Sequence, residues 1–160
     1  MTAAFGFADL VGADGVLFDV AVAGKDGLLS ALADSAAVAT GLAATTILER
    51  VREREALGST GFGQGAAIPH ARVPGLAGVV AVVARLATGV DYGALDEEPV
   101  DIAVLLLSPE GSGTDHLKAL ARVSRALRDP VALAAMRDAV DAGALRLVVA
   151  GDAVTGRKAA

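Results

Sequence analysis

Gly58-Ser59-Thr60-Gly61-Phe62-Gly63-Gln64-Gly65-Ala66-Ala67-Ile68-Pro69-His70 places four glycines within eight positions and ends on one of only two histidines in 160 residues. Glycine at that density lets a backbone reach positive φ and approach another group closely, at an entropic cost. Pro69 fixes its own φ and pushes Ile68 toward an extended conformation, so His70 leaves a stiff segment. The spacing predicts a shaped loop with a titratable ring at its end. A surface loop that happens to finish on a histidine fits the same spacing. Gly61, Gly63 and Gly65 are not a dinucleotide fingerprint, because the third glycine is misplaced and no clear strand precedes them. Nor is the stretch a P-loop, since no Gly-Lys-Ser/Thr follows.

Upstream of this loop, Val16, Phe18, Val20 and Val22 alternate with Leu17, Asp19 and Ala21, the period of a strand. From Lys25 the period becomes helical, with Leu28, Leu32 and Ala36 beside Leu29 and Ala33, and Gly41 ends the helix. A second helix is expected from Thr45 or Thr46, because Thr46-x-x-Glu49 has capping-box spacing. Ile47, Leu48 and Val51 form its apolar face, and Glu49, Arg50, Arg52, Glu53, Arg54 and Glu55 read as a solvated face. Arg54 stands apart because it lies close to the glycine loop.

Downstream, Pro74-Gly75 signals a turn. Residues 78–87 and 100–107 read as buried strands, joined by a polar link over 88–99. After a loop over 108–113 comes a third helix, with Leu117, Leu120, Ser124 and Leu127 at helical spacing. Asp129-Pro130 supplies an N-cap and an N1 proline for a fourth helix through Val140. Residues 144–150 fit a strand by the alternation of Leu145, Leu147 and Val149. Residues 151–160 read as a tail. The element order predicts one α/β domain over 1–160, its core over about 14–150: a sandwich with a central sheet whose apolar strands are covered on both faces.

Composition narrows the function. Hydrophobic residues make up 54% and charged residues 21%, a globular balance, and aromatics only 3%, so Ala, Val, Leu and Ile build the core. The net charge of −5, without a basic cluster, argues against nucleic acid and anionic membrane as partners. Without cysteine there is no disulfide framework and no thiolate metal site. The N-terminus does not read as a signal peptide, and the longest uncharged apolar stretch, 35–48, is too short to span a bilayer. A soluble, cytoplasmic protein without membrane insertion is expected. A Ser59/His70/Asp101 triad would lack a nucleophile elbow, and no histidine pair has metal-ligand spacing.

Arg54-Glu55-Ala56-Leu57-Gly58 through His70-Ala71 resembles the signature of the fructose/mannitol/nitrogen-type enzyme IIA proteins of the phosphoenolpyruvate-dependent phosphotransferase system. The resemblance runs from about residue 16 to about residue 140. It implies a mixed sheet with helices on both sides and a short helix, not a strand, over 144–150. In that family the histidine after Ile/Leu-Pro is phosphorylated, which the resemblance carries to His70. Gly113-Thr114-Asp115-His116-Leu117 matches the second histidine, which hydrogen-bonds the phosphate, and Arg54 matches the arginine associated with the active-site region. Ser59 and Thr60 are expected either to donate hydroxyls to phosphate or only to stabilise the turn. Gly63, Gln64 and Gly65 complete the expected binding loop. Gln64 stands where many members carry Asn, and Phe62 replaces a usual aliphatic residue.

The chemistry agrees with these residue types. Histidine supplies a neutral ring nitrogen as nucleophile near pH 7, and the transferring phosphoryl group needs donors around its oxygens. No metal or other cofactor is expected. The resemblance implies a phosphorylated histidine carrier protein as donor and an enzyme IIB or regulatory targets downstream. Pro109-Glu110-Gly111 through Leu120 is most similar to the free-standing nitrogen-regulatory branch, with no fused permease segment expected. A sugar-specific enzyme IIA and a regulator that binds partners according to its phosphorylation remain the alternatives.

Overall fold

The computed structural model describes residues 6–151. Among them the elements in order are β1 (Val11–Val20), α1 (Gly24–Thr40), α2 (Ala44–Ala56), β2 (Gly61–Gly63), β3 (Ala66–Ala67), β4 (His70–Val73), β5 (Val80–Val90), β6 (Val100–Pro109), α3 (Thr114–Arg128), α4 (Pro130–Asp138) and α5 (Ala142–Ala150). The strands form one mixed sheet in the order β1-β5-β6-β3-β2, with β4 also on β6. β1 runs parallel to β5, β5 antiparallel to β6, and both β3 and β4 parallel to β6.

The apolar runs of β5 and β6 explain the two-layer covering. Side chains alternate along a strand, so Ile102, Val104 and Leu106 enter one core with Val123, Leu127, Met136 and Leu145 of α3, α4 and α5. Ala103, Leu105 and Leu107 enter a second core with Leu28, Leu32, Ile47 and Val51 of α1 and α2. Fully burying each such aliphatic contributes about 1.5–3 kcal/mol. The expected α/β sandwich, with helices on both faces of a mixed sheet, is the observed fold. The helix α1 buries the five residues of its predicted stripe, and Gly41 ends it in the left-handed conformation (φ 77°).

Local departures have local causes. Asp19 adopts φ 55° where the β1–β5 register shifts, and this bulge turns the strand over. Val16 and Phe18 therefore pack toward one core and Val20 and Val22 toward the other, so the four do not share a face as the alternation predicts. The second helix begins at Ala44 with Ala43 as N-cap and no side-chain cap bond, so the cap lies three residues ahead of the predicted Thr46 capping box. Only residues 41–43 link it to α1. In α3 the buried stripe is His116, Ala119, Val123, Ala126 and Leu127; Leu117 is 60% exposed.

The chain over 144–150 is helical: Asp141 caps α5 by accepting the Ala144 N–H at 2.7 Å, and Gly151 closes it in the left-handed conformation. Asp129 and Pro130 start α4 as predicted, and the helix ends at Asp138, short of Val140. Phe7 is fully buried and its N–H donates to the Val149 carbonyl, so the core reaches back beyond residue 14. Phe5 and the expected tail beyond Gly151 lie outside the described residues.

Candidate functional site

The glycine-rich stretch folds as three short strands: β3 and β4 lie along the edge of β6, and β2 pairs outside β3. Ala66 and Ala67 pair with Ile102 and Ala103, and His70 to Val73 resume the pairing at Leu106 to Pro109. Pro69 has no N–H to give a ladder, but its carbonyl accepts the Leu106 N–H at 3.0 Å. His70 is thus the first residue of β4, set by a rigid central strand.

Nδ1 of His70 lies 2.8 Å from the Ile68 carbonyl, an acceptor only, so Nδ1 carries the proton. The lone pair then sits on Nε2. The ring borders an open groove of about 430 Å³, lined also by His116, Arg50, Arg54, Arg72, Leu117 and Leu120. The His116 ring centroid is 5.5 Å away, tilted by 47°. His116 sits in the first turn of α3, where the helix dipole favours anions and a neutral imidazole. Its Nδ1 is 2.6 Å from the hydroxyl of Ser108, which is fully buried on β6.

The electrostatics keep both rings neutral at pH 7. Burial pushes the His70 pKa down, the Ile68 bond opposes this, and Arg54 and Arg72 add to the lowering. Burial, with Arg72 and His70 adding, lowers His116 to about 4. Three arginines gather at the groove. Arg54 donates to the Gly58 carbonyl at 2.9 Å, and Arg50 pairs with Glu110 at 2.9 Å. A neutral nitrogen nucleophile, a second ring nitrogen and a set of cations suit transfer of an anionic phosphoryl group without a metal.

The structure brings His70, His116 and Arg54 together at this groove and leaves the other expected residues elsewhere. The Ser59 hydroxyl accepts the Gly61 N–H at 3.1 Å, a turn-stabilising bond. Thr60 is buried against Glu55 and Tyr92. Gly63, Gln64 and Gly65 form the β2–β3 turn, with Gln64 at φ 62°. Gln64 and Gly65 border a separate groove with Asp96, Asp101 and Arg137. There the Gln64 N–H donates to Asp96 at 3.0 Å and its carbonyl accepts from Arg137 at 2.5 Å. From Ala66 to His70 the chain advances four residues along β6, about 13 Å at strand rise. That distance separates the turn from the imidazole.

The sequence reading passed over Ser108, Arg50, Arg72 and a buried cluster of Glu55, Lys25 and Tyr92. A signal for Glu55 was present: Ile47, Val51 and Glu55 recur every four residues and are the buried residues of α2. Its place among the solvated charges is corrected accordingly.

Residues 9–150 match the family model described as phosphoenolpyruvate-dependent sugar phosphotransferase system, EIIA 2. The chain belongs to that family. This EIIA chain is 42% identical over 142 residues to a nitrogen regulatory protein of Bradyrhizobium diazoefficiens, covering 89% of this chain and 93% of the relative. Its fold matches the crystal structure of nitrogen regulatory protein IIA-Ntr from Neisseria meningitidis, with a TM-score of 0.84, 26% identity and coverage of 89% and 97%. The fold is also that of enzyme IIAMTL in its complex with phosphorylated enzyme IIBMTL from Escherichia coli, with a TM-score of 0.74, 15% identity and coverage of 88% and 96%. Among the described residues no helix of this EIIA is long and apolar enough to cross a membrane.

Proposed function

We propose that this EIIA protein is a stoichiometric phosphohistidine carrier of the cytoplasm with a nitrogen-type regulatory role, charged by a phosphorylated histidine carrier protein. The observation that carries the reading is the 2.8 Å bond from His70 Nδ1–H to Ile68, which leaves the Nε2 lone pair beside His116 and the arginines. Nε2 attacks the phosphorus of the donor's phosphohistidine, and the bond from phosphorus to the donor nitrogen breaks. The donor ring, protonated at its other nitrogen, leaves as neutral imidazole. The His70 ring becomes cationic and keeps its Nδ1 proton on the Ile68 carbonyl. With the Ser108 hydroxyl donating to Nδ1, His116 holds its proton on Nε2 and donates it to a phosphoryl oxygen. Arg54 and Arg72 offset the remaining charge. Regulatory proteins are the partners downstream, with an enzyme IIB as the alternative.

The test is incubation with a phosphorylated histidine carrier protein, followed by intact mass and alkali-stable, acid-labile labelling. One phosphoryl group on the wild type and none on His70→Ala is expected; labelling of His70→Ala at the wild-type rate overturns the assignment. Phosphorylation-dependent binding of regulatory targets without onward transfer is expected, whereas rapid transfer to a fructose- or mannitol-type enzyme IIB makes the role sugar-specific.

A further inference from the structure

We propose that Glu55, held by Lys25 and Tyr92, is a positioning residue that fixes which nitrogen of His70 faces the groove. The inference rests on His70 being the phosphoacceptor. Glu55 lies in the last turn of α2 with a side chain 5% exposed. One carboxylate oxygen accepts Lys25 Nζ at 2.8 Å and the Thr60 N–H at 3.3 Å. The other accepts the Tyr92 hydroxyl at 3.0 Å and the Thr60 hydroxyl. Four donors fill the lone pairs of one ionised carboxylate. Lys25 also stands over the Tyr92 ring, 4.4 Å from its centroid.

From this cluster two further hydrogen bonds reach the histidine. The Thr60 carbonyl accepts the Ile68 N–H at 3.1 Å, and the Ile68 carbonyl accepts His70 Nδ1–H at 2.8 Å. Thr60 is therefore gripped at its amide and hydroxyl while its carbonyl holds the residue that orients the ring. Stability alone is a weak reason for this arrangement, because apolar replacement of a buried ion pair is commonly neutral or stabilising. A carboxylate is the one side chain that accepts all four bonds at once. Burial works against its charge, but Lys25 and Thr60 hold the Glu55 pKa below its ordinary value, so it stays ionised. Without it the Ile68 carbonyl loosens, and the ring is free to carry its proton on Nε2, the form an unconstrained imidazole prefers. The lone pair then points away from the groove.

The experiment is nitrogen-15 spectroscopy of the histidine rings in the full, unphosphorylated chain at pH 7.5, with initial phosphorylation rates in parallel. Wild type is expected to show His70 protonated on Nδ1. Glu55→Ala is expected to give a mixture of the two ring forms and about a tenfold slower rate. Glu55→Gln, whose amide oxygen accepts two of the four bonds, is expected to give an Nδ1–H signal between those of Glu55→Ala and the wild type. Folded Glu55→Ala with the wild-type ring form overturns the proposal. If that variant does not fold, Thr60→Val gives the reading, and an unchanged ring form there overturns it equally. The ring signal needs no phosphate, so absence of labelling at wild-type His70 defeats the carrier function and leaves this test separately readable.

Discussion

The hydroxyl of Ser108 and Nδ1 of His116 lie 2.6 Å apart, joining the end of β6 to the first turn of α3. Ser108 is fully buried and His116 is 5% exposed, so neither group has water as a ready substitute. This bond aims the His116 ring toward His70 in the same way that the Ile68 carbonyl aims His70. Two imidazoles are thus oriented by neighbours from different elements.

Ser108→Ala removes that orienting bond and leaves a buried ring nitrogen unpaired. The fold is expected to lose about 1–2 kcal/mol. Phosphorylation of His70 is expected to slow about tenfold, because a freely rotating His116 donates less often. Denaturant unfolding and initial rates measured together check both numbers; an unchanged rate makes the bond purely structural.

His116→Ala removes the ring itself. Loss of one pre-aimed donor to a transition-state oxyanion commonly costs about 3 kcal/mol, or 10²–10³ in rate. The variant is expected to stay folded, since Ala119, Val123 and Leu127 keep α3 on the sheet. Equal forward and reverse transfer rates in the variant and the wild type would leave His116 without a part in the chemistry.

Gly65 sits at φ 78°, and a Cβ there would meet Nη2 of Arg137 and, at 3.0 Å, a carboxylate oxygen of Asp101. Gly65→Ala therefore combines left-handed strain of about 1–2 kcal/mol with damage to the Arg137–Asp101 clamp. A loss of about 2 kcal/mol in chemical denaturation is expected. A loss below half a kcal/mol would mean that the turn relaxes freely.

Acid stability follows from groups with lowered pKa values. His70 and His116 are held neutral in the fold, so below their ordinary value of 6.5 the unfolded chain takes up protons that the folded chain refuses. Stability is expected to fall as pH drops from 6.5 toward about 4, the His116 value. Glu55 and Asp9 are also lowered, by partners that favour their charged forms, so their contribution is present above about 4 and disappears at still lower pH. Unfolding measured across pH 3–8 in wild type and His116→Ala checks this, and the variant is expected to show the shallower slope between 6.5 and 4.

What was legible in the sequence was local. The α1 stripe, the apolar runs of β5 and β6, and the Asp129-Pro130 helix start are properties of contiguous chain, because periodicity and capping act over a few residues. His70 was legible for the same reason: the glycines and Pro69 beside it announce a shaped segment. The pieces β2, β3 and β4 span three, two and four residues and are too short to carry a period of their own. They become strands only because β6 supplies an edge for β3 and β4, and β3 supplies one for β2.

The sequence by itself therefore determined the sandwich and singled out the His70 imidazole, through local pattern and a distinctive stretch around it. Only the tertiary structure decided how that imidazole is served. Glu55 meets Tyr92 across 37 positions and Lys25 across the α1–α2 packing, and His116 reaches His70 from another layer of the sandwich. The Asp19 bulge reverses the faces of β1, and the sheet edge carries Gly63 to Gly65 away from the groove. A polar residue's role depends on what lies opposite when the layers close, and that partner is set by the global packing of two cores on one sheet.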